Sequence, residues 1–135
     1  MECLFCKIIA KQIPAEIVYE DAKVVAILDI NPNTPGHTLV IPKVHSDNMA
    51  NALDADIAAL TSAVKKLAPL IVAATGAQGW NMEANNGNAA GQIIMHTHWH
   101  IIPRHAADGL KHWPVHPYAE GEMKIIGDKI RGQIK

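Results

Sequence analysis

The sequence predicts an α+β fold: an antiparallel β-sheet of about five strands, with one long and one short helix. Three observations carry this prediction. Five runs rich in aliphatic or β-branched residues are divided by turn signals, and most of the connections are short enough for neighbouring strands to pair antiparallel. A single long stretch between the third and fourth runs repeats its apolar residues every three or four positions, the period of a helix with one buried stripe. No strand runs into Gly-x-Gly-x-x-Gly or a Gly-Lys-Ser/Thr loop, so the parallel dinucleotide-binding and P-loop architectures are excluded.

Taken in order, residues 3–10 read as a short helical turn with Leu4, Phe5, Ile8 and Ile9 apolar. Ile17–Glu20 and Lys23–Asp29 are strand-like runs separated by Asp21-Ala22, which suggests a hairpin. Asn31-Pro-Asn-Thr-Pro-Gly36 is dense turn chemistry, and residues 37–42 follow as a strand ending at a proline. Ile57, Leu60, Val64, Leu67 and Ile71 form the stripe of the long helix, with Asp54 placed to cap its start and Gly76 to end it. Pro69 lies inside that span and should kink or shorten it, because it has no amide hydrogen. Residues 79–85 and 93–102 complete the strands. Beyond Arg104 the periodicity is weak, and Trp113, Tyr118, Met123, Ile125, Ile126 and Ile130 are expected to pack as a tail.

The chain of 135 residues fits one domain spanning 1–135, with no linker, repeat or low-complexity segment. Hydrophobic residues make up 49% and charged residues 19%, a globular balance. A net charge of −1 argues against a polybasic nucleic-acid or membrane surface. No apolar run reaches the roughly 20 residues of a membrane span, and the first residues do not begin a signal peptide, so a cytoplasmic location is expected. The only cysteines, Cys3 and Cys6, are too close to staple a fold and read as reduced thiols or metal ligands.

The chemistry concentrates in residues 96–104. In a strand, His96, His98 and His100 would share one face at a spacing of about 7 Å, with Thr97, Trp99 and Ile101 on the other. Histidines on a strand can be a solvated face, but three in strict alternation after the small-residue loop Asn85–Gln92 point to a site. A neutral imidazole near its usual pKa of about 6.5 is a competent nucleophile at neutral pH. His98 is central, and His100 and His37 can supply a proton or fix its tautomer. Backbone amides of the loop 87–92 can close on an anion, which suits phosphoryl or nucleotidyl transfer. Separately, Cys3-x-x-Cys6 has the spacing of a zinc knuckle, and His45 and His96 are candidates for the other two ligands. Cys3 and Cys6 as small buried hydrophobes remain the alternative at this level.

At these residues the chain resembles the histidine-triad (HIT) family, whose signature is His-x-His-x-His followed by apolar residues. Further blocks are similar: Phe5-Cys-Lys-Ile-Ile, Ile13-Pro-Ala, Leu28-Asp-Ile-Asn-Pro, Pro35–Lys43 and Asn85–Gln92. The resemblance covers residues 3–104 and leaves 105–135 as a variable tail. It implies a purine-nucleotide hydrolase or transferase acting at an α-phosphate, with His98 as the nucleophile that takes up the nucleotidyl group, supported by His37 and His100. It implies further that Asp29 holds the ribose and that Leu4, Phe5, Ile8, Ile27 and Ile30 line the base slot. Asn85, Gly91 and Gln92 would contact the phosphate. The Cys-x-x-Cys subgroup implies a structural Zn2+ on Cys3, Cys6, His45 and His96, no organic cofactor, and a homodimer with a continuous sheet. The stripe of the long helix is a candidate for part of that dimer contact and equally for an internal core.

Two departures stand out. Ile93 replaces a serine or threonine whose hydroxyl can aid the leaving group, and an aliphatic cannot donate a hydrogen bond. Thr97 replaces an aliphatic and is expected to affect packing only. His105, His112 and His116 read as surface histidines, with Arg104 placed nearer the substrate. Two other functions compete with the hydrolase: a nucleotide-binding or interaction protein with little turnover, and a metal-binding protein using the histidines and cysteines together.

Overall fold

The computed structural model describes residues 2–134, so Met1 and Lys135 at the ends of the expected domain lie outside the described residues. Five strands form one antiparallel sheet in the order β1-β2-β3-β5-β4: β1 Ile17–Glu20, β2 Val24–Leu28, β3 Thr38–Pro42, β4 Gly79–Ala84 and β5 Trp99–Arg104. Three helices accompany it: α1 Leu4–Ile9, α2 Asp54–Thr75 and α3 Glu122–Gln133. The tail helix α3 is the addition to the expected architecture.

The two faces of the sheet bury separate apolar clusters. On one, Val24, Ala26, Val40, Trp99 and Ile101 meet Leu60, Ala63, Val64, Leu67 and Ala68 of α2. On the other, Val25, Ile27, Leu39 and Ile41 meet Cys3, Phe5 and Ile8 at the N-terminal helix. Strands β2 and β3 are covered on both faces, which is why their sequences are almost unbroken aliphatic runs instead of alternating ones. The stripe of α2 is therefore core, the second of the two roles open to it in the sequence.

Several local expectations change. The helix α2 begins with Leu53 as its N-cap and no side-chain cap; Asp54 and Asp56 instead sit in the first turn, where the helix dipole favours carboxylates. Gly76 ends it as expected, in the left-handed conformation at φ +69°. Pro69 neither ends nor shortens it. The amide that Pro69 lacks would bond the carbonyl of Lys65, and both residues lie on the exposed side, where water can take that bond. By length and composition α2 also matches a membrane span, with a mean hydropathy of 1.6 over 18 residues, although Lys65 and Lys66 interrupt its apolar residues. Its buried stripe packs against the sheet.

Strand β5 starts at Trp99, later than expected, so His96 and His98 precede it. The cause is a competing partner: the Thr97 amide donates to the Ser46 carbonyl at 2.8 Å. The tail does not pack as predicted. Trp113, Tyr118, Met123, Ile125 and Ile130 are exposed, and no described residue of α3 is buried. β4 is a sheet edge with Trp80 and Met82 exposed.

Candidate active site and metal centre

Four segments converge below the α1 face of the sheet: the end of β2, the turn before β3, the loop after β4 and the approach to β5. Asp29 follows β2, and its amide donates to the His37 carbonyl at 2.9 Å. The turn between them is latched. Thr34 is buried, and its hydroxyl donates to the Pro103 carbonyl at 2.7 Å. Gly36 takes φ +93°, and a Cβ there would stand 2.6 Å from Thr75 Cγ2, so only glycine lets this turn approach α2. Thr34→Val leaves the buried Pro103 carbonyl without its donor. It is expected to lower stability by about 1–3 kcal/mol in urea denaturation.

Hydrogen bonds determine the tautomer of each histidine. The Asn33 amide donates to His37 Nδ1 at 3.0 Å, so the hydrogen of neutral His37 sits on Nε2. His37 Nε2 is 2.9 Å from His100 Nδ1, which must therefore accept. The hydrogen of His100 is then on Nε2, a buried atom with no partner among the described residues. His98 donates Nδ1–H to the His96 carbonyl at 2.7 Å, leaving an unprotonated lone pair on Nε2. The His98 and His100 rings lie 5.0 Å apart, and Phe5 stands edge-on to His98 at 5.0 Å. The site thus pairs an imidazole lone pair with an imidazole N–H that awaits an acceptor.

Burial keeps these rings neutral. It pushes His98 and His37 below the ordinary imidazole value, Asp29 opposing in both. His100, beside His98 and His37, is pushed down to about 4. In the unfolded chain these imidazoles take a proton near 6.5, in the folded chain only at lower pH. Between the two values the unfolded chain binds more protons. The contribution of His37 and His100 to stability is therefore complete above pH 6.5 and declines as pH falls towards 4. A melting-temperature series from pH 8 to pH 4 should be flat at the upper end and fall through that window.

The floor of the expected base slot is Phe5, Ile8 and Ile27, all buried; Leu4 and Ile30 stand exposed at its rim. Asn85 is half-buried; with its amide turned to satisfy both neighbours, it donates to Glu83 at 3.0 Å and Ala90 O at 3.3 Å. Gly91 has φ +91° and its amide bonds the Asn88 carbonyl. Gln92 departs from expectation. Its side chain is 3% exposed with oxygen and nitrogen both bonded within the protein, and its backbone amide bonds the Gly87 carbonyl, so it offers no free donor to a phosphate. Of the loop amides, those of Asn88 and Ala89 make no hydrogen bond among the described residues. Arg104 is likewise committed, to Asp108, Asn81 and the Leu110 carbonyl, and is not held near the histidines. An open groove of about 910 Å3 lies there, between β4 and residues 104–112, away from the histidine pair.

Cys3, Cys6, His45 and His96 bring four donor atoms within 4.8 Å of one another. His96 Nε2 faces the Pro42 carbonyl at 2.8 Å and His45 Nε2 faces the Asp47 carboxylate at 3.1 Å. Both partners only accept, so both Nε2 atoms carry hydrogen and both Nδ1 lone pairs point inward, 3.1 Å apart. Cys3 Sγ is 3.4 Å from His96 Nδ1, and Cys6 Sγ is 3.5 Å from His45 Nδ1. A tetrahedral zinc with two nitrogens and two sulfurs has ligand–ligand edges of about 3.3–3.8 Å, given its bond lengths. Two facing lone pairs with two thiols beside them fit a soft cation. Burial and the neighbouring Cys3 push the Cys6 thiol up, so its thiolate needs such a charge. Asp29, His37 and His100 also lie close enough for an ion. The tautomers argue otherwise there, since the His37 nitrogen that faces inward carries a hydrogen.

Thr97, expected to matter only for packing, has its hydroxyl 2.7 Å from Ser46 Oγ and donates to the Ser46 carbonyl at 3.2 Å. It ties the His45 segment to the His96 segment.

Fold and site together define an α+β protein with a histidine cluster beside a thiol–imidazole centre. The chain belongs to the HIT family: the HIT domain matches residues 10–107. It is 39% identical over 137 residues to the adenosine 5'-monophosphoramidase hnt1 of Schizosaccharomyces pombe, covering 100% of both chains. Among solved structures it is similar to a HIT family member from Bacillus subtilis, with a TM-score of 0.89, 40% identity and coverage of 100% of this chain and 99% of that one. A zinc-bound histidine triad family protein from Mycobacterium smegmatis superposes with a TM-score of 0.79 at 33% identity, covering 98% and 95% of the two chains.

Proposed function

We propose that the protein is a nucleotide hydrolase that cleaves at the α-phosphate of a purine nucleotide through a nucleotidyl-His98 intermediate. The observation that carries this reading is the tautomer pair: a lone pair on His98 Nε2 beside a buried, unpartnered N–H on His100 Nε2. His98 Nε2 attacks phosphorus as the bond to the leaving group breaks, and the leaving group takes a proton from solvent. The His100 N–H bonds the phosphate oxygen on which charge builds, a fixed donor of the kind that contributes several kcal/mol to a transition state. Water then attacks phosphorus and gives up a proton to solvent, the Nε2–P bond breaks, and AMP or GMP departs with His98 restored. Asp29 holds the ribose, Phe5, Ile8 and Ile27 hold the base with Leu4 and Ile30 at the rim, and Asn85 and Gly91 shape the phosphate side.

The monophosphoramidase name of the Schizosaccharomyces pombe relative favours a phosphoramidate substrate; aminoacyl-adenylates and dinucleoside polyphosphates are the alternatives. AMP release from adenosine 5'-phosphoramidate and from diadenosine polyphosphates tests the reading. AMP binding without release from any of them would favour a binding protein instead. The Cys3–Cys6–His45–His96 centre holds structural Zn2+ in this reading, supported by its donor geometry and by the zinc-bound relative. Bound zinc supplies positive charge to both thiolates and fixes the four ligands. No organic cofactor is used.

The homodimer forms by joining the open β4 edges, supported by the exposure of Trp80 and Met82 on a strand that pairs on one side only. Met82→Lys should convert a dimer to a monomer in gel filtration with light scattering. An unchanged mass would move the interface elsewhere.

A further inference from the structure

Gln92 joins the metal centre to the small-residue loop. Its Oε1 accepts the Gly87 amide hydrogen at 2.8 Å, and its Nε2 donates to the Asp47 carbonyl at 2.6 Å and the Ile94 carbonyl at 3.0 Å. Asp47 is the residue whose carboxylate accepts from His45, and Ile94 precedes the ligand His96 by two residues, its carbonyl also bonded to the His96 amide at 2.9 Å. Gly87 begins the turn 87–91, whose Asn88 and Ala89 amides make no hydrogen bond among the described residues. One buried amide group thus ties together two ligand-bearing segments and one loop. Its acceptor and both donors are all in use, so no segment can shift without breaking a bond in low dielectric.

We propose that Gln92 is a positioning residue that couples occupancy of the Cys3–Cys6–His45–His96 centre to the loop's affinity for a nucleotide phosphate. An ion on the four ligands holds the His45–Asp47 and Ile94–His96 segments in one arrangement. Gln92, fixed by their carbonyls, then holds the Gly87 amide and keeps the turn open to an anion. When the ligands are free, the two carbonyls lose their relative position and the loop loses its anchor. Because such coupling is reciprocal, the nucleotide must tighten the metal by the same factor that the metal tightens the nucleotide. The inference rests on the nucleotide-binding reading above.

The test is a binding cycle that needs no turnover. AMP affinity is measured by calorimetry with and without zinc, and zinc affinity by chelator competition with and without AMP. Wild type should give the same factor in both directions, about fivefold or more. Gln92→Met, close in size and without the three hydrogen bonds, should bind each ligand alone while its factor falls towards one. A factor of one in wild type, or an unchanged factor in the variant, overturns the proposal. A second measurement serves if Gln92→Met does not fold: hydrogen exchange of the Gly87 amide in wild type, with and without zinc and with no nucleotide present. Faster exchange on zinc removal is expected, and unchanged exchange overturns the coupling. Failure of wild type to bind AMP would instead overturn the nucleotide reading, which the exchange measurement does not use.

Discussion

His98→Ala is expected to lower AMP release on the order of 10⁴-fold or more, while AMP affinity stays within a few-fold and the fold is retained. The size follows from what one ring supplies. Its Nδ1 hydrogen is held at 2.7 Å by the His96 carbonyl, so the Nε2 lone pair is aimed without a further proton transfer. Burial keeps the ring neutral below the ordinary imidazole range. Removing it deletes the covalent route, whereas removing a donor such as His100 deletes one electrostatic contact, an effect of about 10²–10³-fold. The ordering His98→Ala far below His100→Ala is therefore part of the expectation. The ring is only half-buried, so its loss leaves no closed core cavity, and the melting temperature should move little. Equal residual rates in wild type and His98→Ala, with AMP still bound by both, would remove His98 from the chemistry and leave a binding protein.

Much of this site is legible in the sequence because its residues sit where local rules operate. Asp29 and His37 flank a turn dense in proline, asparagine and glycine, and the alternation of His96, His98 and His100 marks an extended segment by itself. Strands β2 and β3 show as unbroken apolar runs and α2 by its periodic stripe, patterns that report burial directly. Interactions between distant segments leave no such trace. Nothing near Gln92 signals that its side chain spans to Asp47 and Gly87 in place of facing a phosphate. Thr97 shows no sign of its bond to Ser46, which also draws the chain out of the ladder and delays β5 to Trp99. Arg104 reads as a free cation near a site, yet Asp108 four residues on consumes it. The helix α3 is missed for another reason: Met123, Ile126 and Ile130 recur at helical spacing, but the stripe is short and no described residue of the helix is buried, so no core pairing marks it.

Stripping the metal with a strong chelator is expected to lower the melting temperature by on the order of 10 °C, and Cys3→Ser to do the same without chelator. A ligand present at about 1,000 times its Kd adds about 4 kcal/mol to folding, and each kcal/mol is roughly 2–8 °C for a domain of this size class. The four ligands come from three places far apart in the chain, so an ion there closes long loops as well as neutralising charge. Without it, two Nδ1 lone pairs face each other at 3.1 Å beside two thiols, and that arrangement must relax. The helix most exposed to this is α1, whose N-cap is Cys3 and whose Phe5 stands 5.9 Å from the His96 ring and 5.0 Å from that of His98. Metal loss should therefore speed hydrogen exchange in α1 as it lowers stability. Metal analysis of the purified protein gives the stoichiometry, expected at one zinc per chain. Two or more per chain, with zinc lost in His98→Ala, would mean that the histidine pair also ligates an ion and would overturn the tautomers assigned to His37 and His100. A melting temperature indifferent to chelator in a metal-free protein would return Cys3 and Cys6 to the role of small buried core residues.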